Sequence, residues 1–209
     1  NGPMDEKWTA DPQWTAWSNQ LEAAGDRAVK AVAARDLTRI SSSGDEIVEN
    51  GPLAAAFELV YQDWKAGGTE TDLAARLAMH GGSRLVHTRL SLSEPLDNIA
   101  VGIVKHPGTT LLTGELDVSG DAWTWVGSWG RQSLDDDHLG MMVLFRGGDL
   151  LEQTEDEHNY VTVLKPRDGE LEYYFGAAWE QEPNGVADEA AFRALVSLEA
   201  EQLTRSRQP

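Results

Sequence analysis

Short segments in which apolar and polar residues alternate fill the chain from Leu53 to Trp179, and Gly, Asp, Asn or Pro residues separate them. A period of two places successive side chains on opposite faces of a strand, so each segment predicts a strand. Their spacing favours a mainly β fold, an antiparallel β-sandwich. The predicted strands are Leu53–Trp64, Leu73–Met79, Arg84–Leu92, Ile99–Lys105, Leu111–Val118, Trp123–Arg131, Leu139–Phe145, Tyr160–Leu164 and Glu170–Trp179.

The end of the chain follows a helical period instead. Between Asp188 and Leu203 the apolar residues recur at a spacing of three to four, which predicts an amphipathic helix. Acidic residues at positions 188 and 189 favour the N-terminus of that helix, because its exposed N–H groups carry partial positive charge. A C-terminal α-helix is therefore expected beside the sheets.

We expect one domain over residues 1–209. It divides into a variable N-terminal segment at 1–45, a sheet core at 46–180 and a C-terminal helix at 187–205. Within the first segment, residues 19–39 fit a helix and a strand equally well.

The charge of the chain excludes several classes of partner. With 35 acidic and 17 basic residues, the formal net charge is −18. Such a surface repels phosphates, so we expect neither nucleic acid nor an anionic membrane surface as a partner. The sequence has no cysteine, which excludes disulfides, thiol catalysis and cysteine-ligated zinc. No apolar run approaches about 18 residues, so no membrane-spanning helix is predicted.

The Gly81-Gly82 pair predicts a hairpin with a two-residue turn. That turn sets Leu77 opposite Val86 and Leu73 opposite Leu90, on one apolar face. The opposite face then carries a basic patch of Arg76, His80, His87 and Arg89. Arginine binds carboxylate or sulfate groups bidentately, so the patch suits an acidic sugar. The alternative is a solvated face whose arginines pair with the abundant acidic residues.

The strand that follows ends in a candidate catalytic histidine. Ala100 and Gly102 leave room for another group to approach the sheet, and His106 lies at the end of the same face. A histidine in this place can act as a general base or acid near neutral pH. The alternative is that His106 caps the Pro107-Gly108 turn.

Trp123, Trp125 and Trp129 share one face of their predicted strand, and Arg131 follows on the same face. A row of aromatic rings with a polar rim is a common platform for sugar rings. Packing of the three rings between the sheets is the alternative.

Asp135, Asp136 and Asp137 offer hard oxygen ligands, followed by His138. They lack the spaced pattern of an EF-hand loop, so a solvated loop is favoured over a structural Ca²⁺ site. We therefore predict no metal centre and no cofactor.

Four runs, taken in order, resemble an uncharacterised bacterial family, a domain of unknown function that is encoded in polysaccharide-degradation loci. They are Ile47–Leu53, Phe57–Trp64, Asn98–His106 and Leu139–Val143, and the resemblance covers about residues 20–180. It implies a galactose-mutarotase-like β-supersandwich. Members of that family are nearly twice as long, and this chain is similar to their C-terminal portion. A second chain, or an N-terminal half outside this sequence, is therefore expected to complete the fold.

The resemblance also implies a function on uronate-containing or sulfated polysaccharide fragments, as a lyase or dehydratase. We expect a periplasmic or secreted location for such a protein. β-Elimination needs a base, an acid for the leaving group and a cation that neutralises the carboxylate. The candidates are His106 or His87 as base, Tyr174 as acid, and Arg89, Arg76 or Lys105 as the cation. A non-catalytic glycan-binding module and an interaction domain with buried tryptophans are the alternatives.

Overall fold

The computed structural model describes residues 46–66, 68–116 and 120–206, which contain eleven strands and a long α-helix. The strands are β1 (Glu46–Asn50), β2 (Ala54–Ala66), β3 (Thr69–His80), β4 (Leu85–Leu92), β5 (Ile99–Val104), β6 (Thr110–Thr113), β7 (Trp123–Arg131), β8 (His138–Arg146), β9 (Leu150–Glu155), β10 (Asn159–Leu164) and β11 (Glu170–Trp179). The helix α1 spans Glu189–Arg205. Whether residues 19–39 form a helix or a strand lies outside the described residues.

The strands form two antiparallel sheets. The large sheet has the order β1-β2-β3-β4-β11-β8-β7-β6, and the small sheet has the order β5-β10-β9. A mainly β fold with antiparallel sheets and a C-terminal helix was predicted, and the structure confirms it. The division of the chain into a single domain stays a prediction.

Both faces of the large sheet are covered around its strand β7, where residues 123–130 are all buried. On one face, α1 packs its fully buried Phe192 and Val196 against Trp125 and Met142. This burial of apolar surface is what holds the helix on the sheet. We refer to this side of the large sheet as the helix face.

The small sheet covers the opposite face. Ile99 and Ile103 of β5 and Leu164 of β10 join Val143 and Phe145 of β8 in a second apolar cluster. Sheet packs on sheet here, as the alternating pattern of the sequence predicts.

Close approach of the helix depends on a glycine in β8. A Cβ built on Gly140 lies 2.2 Å from the ring of Phe192. The position therefore accepts glycine alone while the helix keeps its place.

The helix begins one residue after its predicted start. Asp188 is the N-cap, and its side chain accepts a hydrogen bond from the backbone N–H of Ala191 at 2.8 Å. The acidic residue thus satisfies an N–H group that has no partner within the helix. Among the described residues, no helix has both the length and the apolar character needed to span a membrane.

The β3–β4 hairpin has a different register from the predicted one. Leu77 lies opposite Thr88 and Leu73 opposite Leu92, so the predicted partners Val86 and Leu90 are wrong by two residues. Residues 81–84 form the connection instead of a two-residue turn. Within it Ser83 donates its N–H to the His80 carbonyl at 3.1 Å, and its hydroxyl accepts the N–H of Leu85 at 3.0 Å.

A shift of two residues keeps every side chain on its predicted face, because side chains in a strand alternate with a period of two. Arg76 and Arg89 are directly opposite each other, and His87 lies opposite Ala78. The register thus places the whole predicted basic patch, His80 included, on the helix face.

Candidate functional site

The helix face of the large sheet continues past α1 onto β4 and β11, and a cluster of polar side chains lies there. His87 of β4 is directly opposite Tyr174 of β11. Their rings stack with centroids 4.5 Å apart and planes 13° apart. Two candidate catalytic residues that stand 87 positions apart in the chain therefore touch across one pair of strands.

A carboxylate holds the imidazole in place. His87 Nε2 lies 2.7 Å from Glu172 Oε1, and Glu172 Oε2 accepts a hydrogen bond of 2.6 Å from Arg146 Nη2. All three side chains are largely enclosed, at 21%, 16% and 22% exposure. In the tautomer whose Nε2 donates to the Glu172 carboxylate, Nδ1 is the nitrogen that can accept a proton.

Aromatic contacts support this cluster from the side of the core. The guanidinium of Arg146 lies over the ring of Trp123 at 5.5 Å, and Trp123 meets Tyr174 edge to face at 5.0 Å. Since Trp123 is itself packed beneath the helix, the cluster rests on a rigid part of the fold.

His87, Glu172 and Arg146 of this cluster line a cleft of about 270 Å³, which we call the His87 cleft. Its walls are His87, Arg89, Arg146, Asp149, Arg167, Glu170, Leu171 and Glu172. Three guanidinium groups and three carboxylates therefore face one another. The arrangement can exchange a proton at His87 and can bind an anionic group through arginine.

Each of these arginines has an acidic partner. Arg89 donates to Glu170 at 2.8 Å, and Arg167 donates to Asp121 at 2.8 Å and to the buried Asp149. The hydrogen bonds with Asp121 and then Asp149 raise the pKa of the Arg167 guanidinium above its usual range. The cleft is thus a network of ion pairs rather than an unbalanced basic patch.

Two members of the predicted basic patch lie outside this cleft. Arg76 is within 3.9 Å of Glu49, and His80 is exposed at the end of β3. They share the face of His87 but do not line its cleft.

His106 lies in a different place. With Trp129 and Arg131 it lines a second cleft, beyond the N-terminus of α1. No residue lines both clefts, so the structure does not bring His106 together with His87. Lys105 pairs with Glu155 at 2.8 Å, and this hydrogen bond raises the pKa of the lysine.

The predicted tryptophan platform is part of the core. Trp123, Trp125 and Trp129 do share one face of β7, but they are only 6%, 2% and 7% exposed. The helix packs on that face, with Phe192 against two of the rings. Parity predicted their common face correctly, but the described structure gives no exposed row of rings for a sugar.

Two of the aspartates that were considered as calcium ligands, Asp136 and Asp137, form hydrogen bonds that hold their own loop in place. Asp137 accepts hydrogen bonds from the Ser133 hydroxyl and from Trp179 Nε1, and these lower the pKa of its carboxyl. Arg131 donates to the backbone and to the carboxylate of Asp136. Within the described residues, no group of three or more histidine, aspartate or glutamate side chains is arranged to hold a metal ion.

Sequence reasoning missed Glu172 and Arg146. Glu172 has the same parity as Tyr174 on β11, which is a usable signal that it shares the face of the tyrosine. Nothing in the sequence indicates that β4, β11 and β8 are neighbours in this sheet. That order alone brings the two residues to His87.

Comparison with known proteins gives a family but no activity. The model of a family described as a domain of unknown function, DUF4861, matches residues 24–208. No curated protein and no solved structure matches the chain at a significant level. The match takes in the sheets and the helix described above, and so the chain belongs to the DUF4861 family.

Proposed function

We propose that this protein acts on acidic oligosaccharides, with uronate or sulfated units, and cleaves them by β-elimination in the His87 cleft. The chain of contacts from Arg146 through Glu172 to His87 carries the proposal, together with Tyr174 stacked on the imidazole. A proton acceptor, the carboxylate that orients it and a phenol thus lie side by side, as general acid–base chemistry requires.

In this proposal, the arginines of the cleft bind the acidic unit of the substrate. Arg89, Arg146 and Arg167 line the same cleft in a chain whose net charge is −18. A guanidinium has five N–H donors, more than one carboxylate partner uses, so it can hold a substrate carboxylate while it keeps its own partner. Such a contact stabilises the negative charge that develops on the substrate carboxylate during the reaction.

In the proposed step, Nδ1 of His87 takes the proton from the carbon next to the uronate carboxylate. The electron pair of that C–H bond forms a carbon–carbon double bond, and the bond from the neighbouring carbon to the glycosidic oxygen breaks. Tyr174 gives its proton to the departing oxygen, and both side chains regain their protonation states from water. No oxidant, reductant or metal is needed for this balance.

The test follows the new double bond. The protein is incubated with a panel of polyuronates and sulfated uronate-containing glycans, and absorbance near 235 nm is recorded. We expect a rise that falls by about 10²–10⁴-fold in His87→Ala, which removes the base, and a clear loss in Tyr174→Phe. His80→Ala is the matched control, because His80 lies on the same sheet face outside the cleft. Full activity of His87→Ala, or no chromophore across the panel, rejects the proposal.

A non-catalytic glycan-binding module is the second candidate. The observation in its favour is that every arginine of the His87 cleft already pairs with a carboxylate, which suits binding through mixed donors and acceptors. Saturable binding of an acidic glycan that Arg89→Ala weakens, without any new chromophore, supports this reading.

The proposal also covers the location of the protein and the completion of its fold. Substrates of this kind are extracellular polymers, so we place the protein in the periplasm or outside the cell. A galactose-mutarotase-like arrangement, completed by a second chain or by an N-terminal half, also belongs to the proposal.

A further inference from the structure

We propose that the second cleft of this protein, which we call the His138 cleft, binds an uncharged sugar ring. It has a volume of about 530 Å³ and lies between the turn after β5, the end of β7, the loop before β8 and the N-terminus of α1. Its lining includes His106, Trp129, Arg131, Asp136, His138 and Glu189. The inference goes beyond the proposed elimination, because none of these residues lines the His87 cleft.

The imidazole ring of His138 is held in place by two side-chain contacts. Its ring stacks on that of Trp129, with centroids 5.7 Å apart and planes 7° apart. Nδ1 lies 2.8 Å from Glu180 Oε2, and the N–H of Glu180 donates to the His138 carbonyl at 3.1 Å. Two sides of the imidazole are thus fixed, and 38% of the side chain stays exposed. A ring fixed in this way is a preorganised ligand contact.

The loop before β8 is fixed as well. Asp136 adopts a left-handed backbone with φ of 57°, and Arg131 donates to its carbonyl at 2.9 Å. Asp137 anchors the same loop on Trp179. A non-glycine residue in this conformation is held there by its surroundings.

A glycine brings the His106 turn to the cleft. A Cβ built on Gly130 lies 2.7 Å from the carbonyl oxygen of Gly108, so only glycine allows the turn to pack this close to β7. His106 accordingly reaches the rim that Arg131 and His138 share. Four separate segments therefore converge on one open cleft.

The chemistry of the walls selects an uncharged polyol. The lining combines donors (Arg131 and the histidines) with acceptors (Asp136 and Glu189). Arg131 lies 3.4 Å from the Asp136 carboxylate, and Glu189 accepts from Arg193 at 2.9 Å, so the local charges balance. Of the two guanidinium groups, that of Arg131 lines this cleft and that of Arg193 does not, whereas three guanidinium groups line the His87 cleft, so an anion gains less here than there. The hydroxyls of a sugar both donate and accept, and its C–H face suits the exposed side of a stacked imidazole.

Side-chain NMR of the intact chain tests the inference. The probes are neutral monosaccharides and disaccharides of galactose, glucose, xylose, arabinose and rhamnose, titrated while the histidine ring and tryptophan indole signals are followed. We expect saturable shifts of His138 and His106, with the signals of His87 unchanged. Arg131→Ala should weaken binding about tenfold, since it removes a charged hydrogen-bond donor. Arg205→Ala is the matched control, because the 63% exposure of its side chain is close to the 62% of Arg131.

The variants separate this inference from the proposed reaction. His87→Ala should keep neutral-sugar binding even where it abolishes elimination, and His138→Ala should lose that binding. Shifts confined to other histidines, equal affinity in Arg131→Ala and Arg205→Ala, or no shift with any neutral sugar at high millimolar concentration would each overturn the proposal.

Discussion

His87 and Tyr174 lie opposite each other in the β4–β11 ladder, and their rings stack at 4.5 Å. Glu172, two residues before Tyr174 on the same face of β11, contacts Nε2 of the imidazole. The site is therefore built from two neighbouring strands whose register fixes all three side chains.

Glu172→Gln tests whether the carboxylate orients His87. A glutamine amide can donate to Nε2, which favours the tautomer with the proton on Nδ1 and removes the proposed acceptor. We expect the elimination rate to fall about tenfold or more with little change in KM, because a misoriented base loses part of the 10²–10⁴-fold contribution of general acid–base catalysis. Steady-state kinetics measure this split, and Glu182→Gln is the control because its partner is Arg84 and neither residue lines the cleft. A change in KM alone would assign Glu172 to substrate binding.

Gly140→Ala tests the contact between β8 and the helix. The new methyl group would lie 2.2 Å from the Phe192 ring, so the free energy of unfolding should fall by about 1–3 kcal/mol. Urea denaturation measures the change. In Gly102→Ala, a strand glycine whose Cβ would meet its nearest atom at 3.5 Å, we expect a change of about 0.5 kcal/mol or less. Equal stability of the two variants contradicts the packing described.

Phe192→Ala removes the largest fully buried side chain of α1. Phe192 is fully buried among the tryptophans of β7, so its loss should lower the free energy of unfolding by about 3–5 kcal/mol. Leu198 of the same helix is 47% exposed, and its change to alanine should cost about 0.5 kcal/mol. If both variants unfold at the same urea concentration, α1 does not pack on β7 through this face.

Asp137→Asn tests the acid dependence of stability. Hydrogen bonds from Ser133 and Trp179 lower the pKa of Asp137 in the folded state below its ordinary value of 3.8. The unfolded state then takes up a proton first, so this contribution is present above pH 3.8 and is lost as the pH falls through the folded-state pKa. We expect Asp137→Asn to lower Tm near neutral pH and to approach the parent Tm in acid. Asp135→Asn, an exposed neighbour, is the control, and a Tm difference that does not depend on pH rejects the linkage.

Much of the fold was readable from the alternation of residues. The Trp123–Arg131 and Glu170–Trp179 segments were predicted with the observed bounds, since long central strands carry a strong pattern. Two strands were missed, Glu46–Asn50 and Leu150–Glu155, and each lies at the edge of its sheet. An edge strand has a neighbouring strand along one edge only, and such strands are often short and rich in charged residues. These properties weaken the alternation of apolar and polar residues that identifies a strand.

The candidate site was only partly readable. The sequence singled out His87, Arg89 and Tyr174, which the structure brings together. It also selected His106 for the same task, and His106 lies in the other cleft. Parity along one strand says which face a side chain takes, but it says nothing about which strands are neighbours.

By itself, the sequence determined the strand pattern, the face that each side chain takes and the C-terminal helix. These are local properties, because a period of two or of 3.6 follows from backbone geometry alone. The tertiary structure decided the order of β4, β11 and β8, the contact of Glu172 with His87 and the burial of Trp123, Trp125 and Trp129 under α1. Such contacts join residues far apart in the chain, and they form only when the packing of whole sheets and the helix fixes which strands lie side by side.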